Sequence, residues 1–225
     1  MAAYVTWFFL PRFWSWLPID RGRAHAVNAA QSVGKPMGAG IIFIPIFVIV
    51  SLLVVPAEPR TLESLVCILM AMVVGFADDR SKASGEGGWH EYKLGIFDLA
   101  ISITAAVVLC RFEATEIWLP IVKARIWIPA VVYIPLAAVL IWTAINATNC
   151  SDGVDGLSGS LSALTFFYLG ILLYGVVGHA EIAKYLLVPH YPDGPSWGIT
   201  SFIMVGCLSG SDDVLSQSRH QYSSL

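Results

Sequence analysis

Two adjacent carboxylates, Asp78 and Asp79, end the apolar run LVCILMAMVVGFA. Neighbouring negative charges at the edge of an apolar segment repel one another and are costly to desolvate unless a cation joins them. Mg²⁺ suits this arrangement because proteins usually hold it through one or two carboxylates together with substrate phosphates and water. Lys82 follows on the same side if the helix continues, and its ammonium can bind phosphate as a point charge. The alternative interpretation is a solvated helix end with ordinary flanking charges.

A second polar segment, NATNCSDGVDGL at 146–157, lies between two apolar runs and is rich in amide and carboxylate groups. The glycines that follow its aspartates permit positive φ and a close approach of the backbone to a ligand. Oxygen atoms at this density suit a nucleotide-sugar or a hydrated cation, whereas the register of a calcium-binding EF-hand is not met. Asp155 can also cap the helix that begins near Leu157, which does not exclude a functional role.

Two lysines stand beside the beginnings of apolar runs. Lys35 lies in GKPMGAG, which is not a P-loop, so a turn that begins a helix is the simpler interpretation of that segment. Lys93 and Asp98 lie in EYKLGIFDLAIS, where Asp98 is about one helical turn inside the apolar run. A carboxylate at that depth predicts either a functional role or an ion pair with Lys93, and both interpretations stay open.

The elements that must position these residues are membrane spans. Hydrophobic residues make up 56% of the 225-residue chain and charged residues 13%, against about a quarter charged in soluble domains. Five apolar runs approach the ~20 residues that a spanning helix needs. They lie at 41–57, 62–77, 94–111, 127–145 and 157–178, with partial segments at both ends of the chain. We therefore predict an all-α, polytopic transmembrane helix bundle, with one domain over 1–210 and a polar tail at 211–225.

The loops alternate between the two sides of such a bundle. Alternation brings the segment before the first run and the loops that follow the second and fourth runs to one face, so GKPMGAG, GFADDRSK and NATNCSDGVDGLSG meet there. Loop lysines and arginines divide almost evenly between the faces, so we take the motif face as cytoplasmic because of its chemistry. The net charge of −3 provides no basic patch for nucleic acid.

The order GKPMGAG, GFADDRSK, EYKLGIFDL and NATNCSDGVDGLSG resembles the polyprenyl-phosphate N-acetylhexosamine-1-phosphate transferase superfamily, and within it the phospho-N-acetylmuramoyl-pentapeptide transferases. The resemblance extends from about Asn28 to Gly210, and NxxNxxDGxDGL is its specific part. It implies catalytic roles for Asp78, Asp79 and Asp155, and Mg²⁺ held by Asp79 and Asp155. The substrate-binding residues that it implies are Lys35, Lys82, Lys93, Asn146, Asn149 and Asp152.

The resemblance also implies the reaction. Phospho-MurNAc-pentapeptide passes from its UDP carrier to undecaprenyl phosphate in peptidoglycan synthesis, which forms lipid I and releases UMP. The expected partners are a UDP-sugar donor and a polyprenyl phosphate acceptor in the bacterial inner membrane, with the active site on the cytoplasmic face. A homodimer stays open. The alternatives are a GlcNAc-1-phosphate transferase acting on the same type of lipid and, from another class, a cation-coupled transporter that uses Asp98 and the aspartate pair.

The sequence departs from the family in two places. Lys35 stands where threonine is usual, and Ala39 stands where glycine is usual. After about residue 210, the further span, the metal-binding aspartate segment and the histidine-rich loop of the family have no counterpart in SDDVLSQSRHQYSSL. From this we expect a chain truncated relative to the family, which as 225 residues does not turn over substrate.

Overall fold

The computed structural model describes residues 1–19, 37–84, 89–112, 115–119, 122, 124–151 and 157–222. In chain order the helices and strands are α1 (Ala2–Phe9) with a 3₁₀ helix at Leu10–Trp16, α2 (Gly40–Val54), α3 (Pro59–Ala83), α4 (Glu91–Phe112), β1 (Glu116–Leu119), β2 (Ala124–Trp127), α5 (Ala130–Ser151), α6 (Leu157–Ile171) with a π-helix at Leu172–Val177, α7 (Ala180–Tyr185) and α8 (Gly194–Tyr222).

The predicted polytopic helix bundle is confirmed. In the described part of the chain, four helical stretches are long and apolar enough to cross a membrane: Pro59–Ala83, Tyr92–Arg111, Ala130–Asn149 and Ser158–Val177. The run predicted at 41–57 forms the shorter apolar helix α2, which has 15 residues. It ends early because Val55 precedes Pro56, and a residue before proline favours the extended conformation that Val55 adopts. The chain is a multi-pass membrane protein.

Two further predicted runs have different boundaries in the structure, and both differences affect the site. The run at 62–77 continues as helix α3 to Ala83, so the aspartate pair is helical rather than in a loop. The run at 127–145 begins as helix only at Ala130 and then extends to Ser151. The first part of NATNCSDGVDGL is therefore the last turns of α5, since its polar residues can point out of a helix without breaking it.

A short antiparallel hairpin between α4 and α5 was not predicted. Strand β1 pairs with β2, and Glu116 lies opposite Trp127. Across the pair, Arg125 Nη1 lies 3.6 Å from Glu116 Oε2. The β-branched and aromatic residues of EIWL and ARIW suit a pleated strand, and Trp127 is in the hairpin rather than in a span for this reason.

Helix α8 packs among α1, α2 and α6 and closes the described bundle. Ile203 and Cys207 of α8 join the buried cluster around Phe47 of α2. A Cβ added at Gly210 would lie 2.5 Å from the carbonyl oxygen of Ala3, so glycine is needed for the close contact with α1. The partial segment predicted near the C-terminal end of the sequence is thus part of the longer helix α8, which continues to Tyr222.

Candidate functional site

The aspartate pair lies in the last turns of α3, where Lys82 neutralises one of its two negative charges. Lys82 Nζ is 2.5 Å from Asp78 Oδ2 and 3.6 Å from Asp79 Oδ1. This is the side-by-side placement predicted for residues four apart, and it forms because α3 extends more than a turn beyond Asp78. The cation that the two carboxylates require is therefore provided at least in part by the chain itself.

The two carboxylates of the pair differ in their surroundings. The Asp78 side chain is 5% exposed, and its other oxygen, Oδ1, accepts a hydrogen bond of 2.9 Å from the backbone N–H of Trp89. Both oxygens of Asp78 are thus engaged by the protein. The Asp79 side chain is 30% exposed and is farther from the lysine ammonium. Asp79 is the carboxylate of the pair that is accessible to a ligand.

Gly38, in the glycine-rich segment before α2, lies directly against Asp79. Its φ is +74°, a conformation that favours glycine. A Cβ added there would be 3.0 Å from Cδ2 of Phe76 and 3.5 Å from Oδ2 of Asp79. The structure thereby brings the described end of GKPMGAG to the aspartate pair, as loop alternation predicted. Lys35, in the same segment, lies outside the described residues.

Lys93 and Asp98, near the start of α4, do not pair with each other. Lys93 Nζ lies 4.1 Å from the ring centroid of Trp89, so the ion-pair interpretation was wrong for these two described residues. Asp98 is 6% exposed, and its Oδ2 has no hydrogen-bond partner among the residues that the structure describes. The functional interpretation of Asp98 stays a prediction.

The amides at the end of α5 lie at the same end of the bundle, although away from the aspartates. Trp142 Nε1 donates a 3.1 Å hydrogen bond to the carbonyl of Gly95, which joins the second half of α5 to the first turns of α4. Asn146, one turn further, donates through Nδ2 to the carbonyl of Trp142 at 2.8 Å, and Asn149 is exposed. Over the described residues α3 and α5 do not touch, so α4 separates these amides from Asp78.

Asp152 and Asp155 lie outside the described residues, so the predicted pairing of Asp79 with Asp155 around a metal stays a prediction. Within the described ranges there is no group of three or more histidine, cysteine, aspartate or glutamate side chains placed to hold a metal ion.

The residue that sequence reasoning missed is Trp89, which touches both Asp78 and Lys93. Trp89 precedes the start of α4, so helical spacing gave no signal for this contact.

Cysteine labelling tests whether the ends of α3 and α5 share a membrane face. In a background lacking Cys67, Cys110, Cys150 and Cys207, we expect Ser81→Cys and Ser151→Cys to react with an impermeant maleimide from one side. Ser196→Cys, at the start of α8, should react from the other side. The reason is that α4 runs antiparallel to both α3 and α5, which puts their carboxyl ends together. Labelling of the first two positions from opposite sides would refute a single site.

Comparisons with known proteins agree with these features. The family model described as Glycosyl transferase family 4 matches residues 62–210. The phospho-N-acetylmuramoyl-pentapeptide-transferase of Treponema pallidum (strain Nichols) is 35% identical over 219 residues, covering 93% of this chain and 59% of the relative. The proteins of the same name from Helicobacter pylori (26% identical over 219 residues) and Campylobacter hominis (25% over 220) each match 93% of this chain and 62% of their own length. The chain thus spans about three fifths of these relatives.

Proposed function

Since the chain belongs to glycosyl transferase family 4, we propose that it takes part in transferring phospho-MurNAc-pentapeptide from UDP to undecaprenyl phosphate, which forms lipid I and UMP in peptidoglycan synthesis. The names of its relatives support this reaction. The observation that carries the proposal is the aspartate pair, partly neutralised by Lys82, at the end of a membrane span. At that level a lipid phosphate can meet a soluble UDP-sugar on the cytoplasmic face of the inner membrane.

The chemistry requires charge and position more than covalent participation of the protein. Phosphoryl transfer proceeds largely through positioning and neutralisation of the phosphate oxygens. The Lys82 ammonium is about one third exposed and can approach an anionic substrate while it holds Asp78. Lys82 can therefore contact the anionic substrate and the neighbouring carboxylates at the same time.

We assign different roles to Asp78 and Asp79. Asp78 is buried and accepts from both Lys82 and Trp89, so it positions these groups. Asp79 is the more exposed carboxylate, and we assign to it the contact with the attacking lipid phosphate, which it orients or deprotonates. This division makes Asp79 the residue whose charge the reaction needs.

Mg²⁺ is the proposed cofactor, in keeping with the general metal dependence of the family. The partly exposed carboxylate of Asp79 fits a hydrated Mg²⁺, which prefers oxygen donors and retains water. Asp79 and Asp155 would hold the ion. When bound, it would offset the charge of the donor diphosphate.

The remaining predicted residues would bind the donor. Lys93 is an exposed cation at the start of α4, and Asn146 and Asn149 present amides from the end of α5. With Lys35 and Asp152 they offer positive charge and hydrogen bonds of the types that a uridine diphosphate accepts and donates. Their number and variety suit a nucleotide-sugar better than a bare ion.

Release of UMP tests the proposal. The purified chain and the same chain extended by the C-terminal segment of the Treponema pallidum relative, called here the extended chain, are given UDP-MurNAc-pentapeptide, undecaprenyl phosphate and Mg²⁺. We expect the extended chain to release UMP. Release from UDP-GlcNAc alone would establish the alternative transferase. Failure of the extended chain with either donor, together with cation uptake into vesicles, would favour the transporter.

A further inference from the structure

Trp89 contacts two charged residues that the sequence analysis treated separately. Its backbone N–H donates to Asp78 Oδ1 at 2.9 Å, and its ring lies 4.1 Å from Lys93 Nζ. Asp78 belongs to the end of α3, and Lys93 belongs to the start of α4. One residue therefore joins the aspartate pair to the next lysine along the chain.

The ring of Trp89 is itself held in place. Phe97, one turn beyond Lys93 on α4, packs against it with a centroid distance of 5.2 Å and an interplanar angle of 38°. The indole is therefore fixed by α4 on one side, while its backbone is fixed by Asp78 on the other. A ring held in this way can restrict the long lysine side chain that rests on it.

Because Lys93 contacts an aromatic ring and not a carboxylate, the contact does not cancel the charge of its ammonium. Lys82 is largely compensated by the carboxylates that it touches, at 2.5 and 3.6 Å. Lys93 has a carboxylate five residues away, Asp98, and does not pair with it. The face of an aromatic ring attracts an ammonium but carries no net charge. Lys93 has no carboxylate partner among the side chains that the structure describes, so it is positioned while its positive charge stays available to an anion.

We infer that Trp89 is a positioning residue: it holds Lys93 beside the aspartate pair as an uncompensated cation for the diphosphate of the donor. The inference rests on the proposed function, because it assigns Lys93 to the donor of that reaction. Trp89 itself touches no reacting atom. Its removal should weaken donor binding and leave the chemical step nearly unchanged.

Kinetics of the extended chain provide the first test. Trp89→Ala should raise the KM for UDP-MurNAc-pentapeptide about fivefold, with kcat within about twofold, as expected for loss of one exposed cation–π contact. Trp89→Phe, which keeps an aromatic face, should recover most of the loss. Tyr92→Ala is the matched control, since Tyr92 is an exposed aromatic residue next to Lys93 that stacks on His90 instead. A fall in kcat at unchanged KM, or a Phe variant as impaired as the Ala variant, overturns the inference.

A second measurement does not depend on activity. Lys93 in the 225-residue chain is acetylated with a water-soluble amine reagent, and its modification is compared by mass spectrometry with that of Lys184. We expect Trp89→Ala to increase the Lys93 rate about twofold or more, because the ring shields the ammonium. An unchanged rate overturns the inference even if the wild-type protein is active. If the extended chain releases no UMP but the rate does rise, the proposed function fails and the Trp89 contact stands.

Discussion

Replacing Asp79 by asparagine in the extended chain should lower the rate of UMP release about 10²- to 10³-fold. The carboxamide has nearly the shape of the carboxylate and lacks its charge, so it can neither attract Mg²⁺ nor accept a proton from the lipid phosphate. Because the Asp79 side chain is 30% exposed and α3 continues beyond it, we expect folding to be preserved. The measurement is initial rate against Mg²⁺ concentration, with the melting temperature of the same sample.

Glu63→Gln is the matched control for Asp79→Asn. Glu63 also lies on α3, and its Oε2 is 3.3 Å from Arg111 Nη1 at the end of the bundle away from the aspartate pair. The control removes one negative charge from the same helix, and the rate should stay within about twofold of the wild type since exposed ion pairs contribute little. Asp155→Asn should resemble Asp79→Asn. Near-normal turnover by Asp79→Asn at low Mg²⁺ would make that residue structural.

The aspartate pair and its lysine could be predicted from the sequence because their geometry is local. Asp78 and Lys82 are four residues apart, and a helix puts such residues side by side whatever the rest of the fold does. The spans could be predicted for a similar reason, since length and apolarity alone decide whether a helix can cross a membrane. No knowledge of distant contacts was needed for either.

The parts that could not be predicted depend on boundaries and on tertiary contacts. Trp127 is apolar like the residues of a span, so composition alone could not separate strand β2 from helix α5. Asn146 and Asn149 suggested a loop because they are polar, yet the helix continues through them. Lys93 contacts the ring of Trp89 rather than Asp98, because the hydrogen bond from the Trp89 backbone N–H to Asp78 holds Trp89 near the start of α4. Each of these features depends on tertiary packing, which cannot be deduced from the spacing of residues along the sequence.

Lys82→Met should impair both stability and activity, for separate reasons. The substitution keeps an unbranched side chain, one heavy atom shorter, and removes the ammonium that touches Asp78 and Asp79. Asp78 is then a buried carboxylate without its cation, with only the Trp89 N–H as a described partner. Loss of one partner from a buried pair costs about 3–5 kcal/mol, and since Lys82 is itself 32% exposed we expect about 2 kcal/mol here. For 225 residues this lowers the melting temperature by about 4–8 °C.

The double variant Lys82→Met with Asp78→Asn separates the two effects. Asparagine at 78 removes the uncompensated charge, while its carbonyl oxygen can still accept from the Trp89 N–H, so most of the lost melting temperature should return. UMP release by the extended chain should remain about 10²-fold below the wild type, because one of the cations that meet the substrate, the Lys82 ammonium, is still missing. Lys82→Arg, which keeps the charge and the ion pair, should retain the stability of the wild type and lose less activity than Lys82→Met. If instead the double variant regained both stability and turnover, Lys82 would act only by neutralising Asp78, and the positive charge that meets the substrate would come from Lys93, Lys35 and the metal without Lys82.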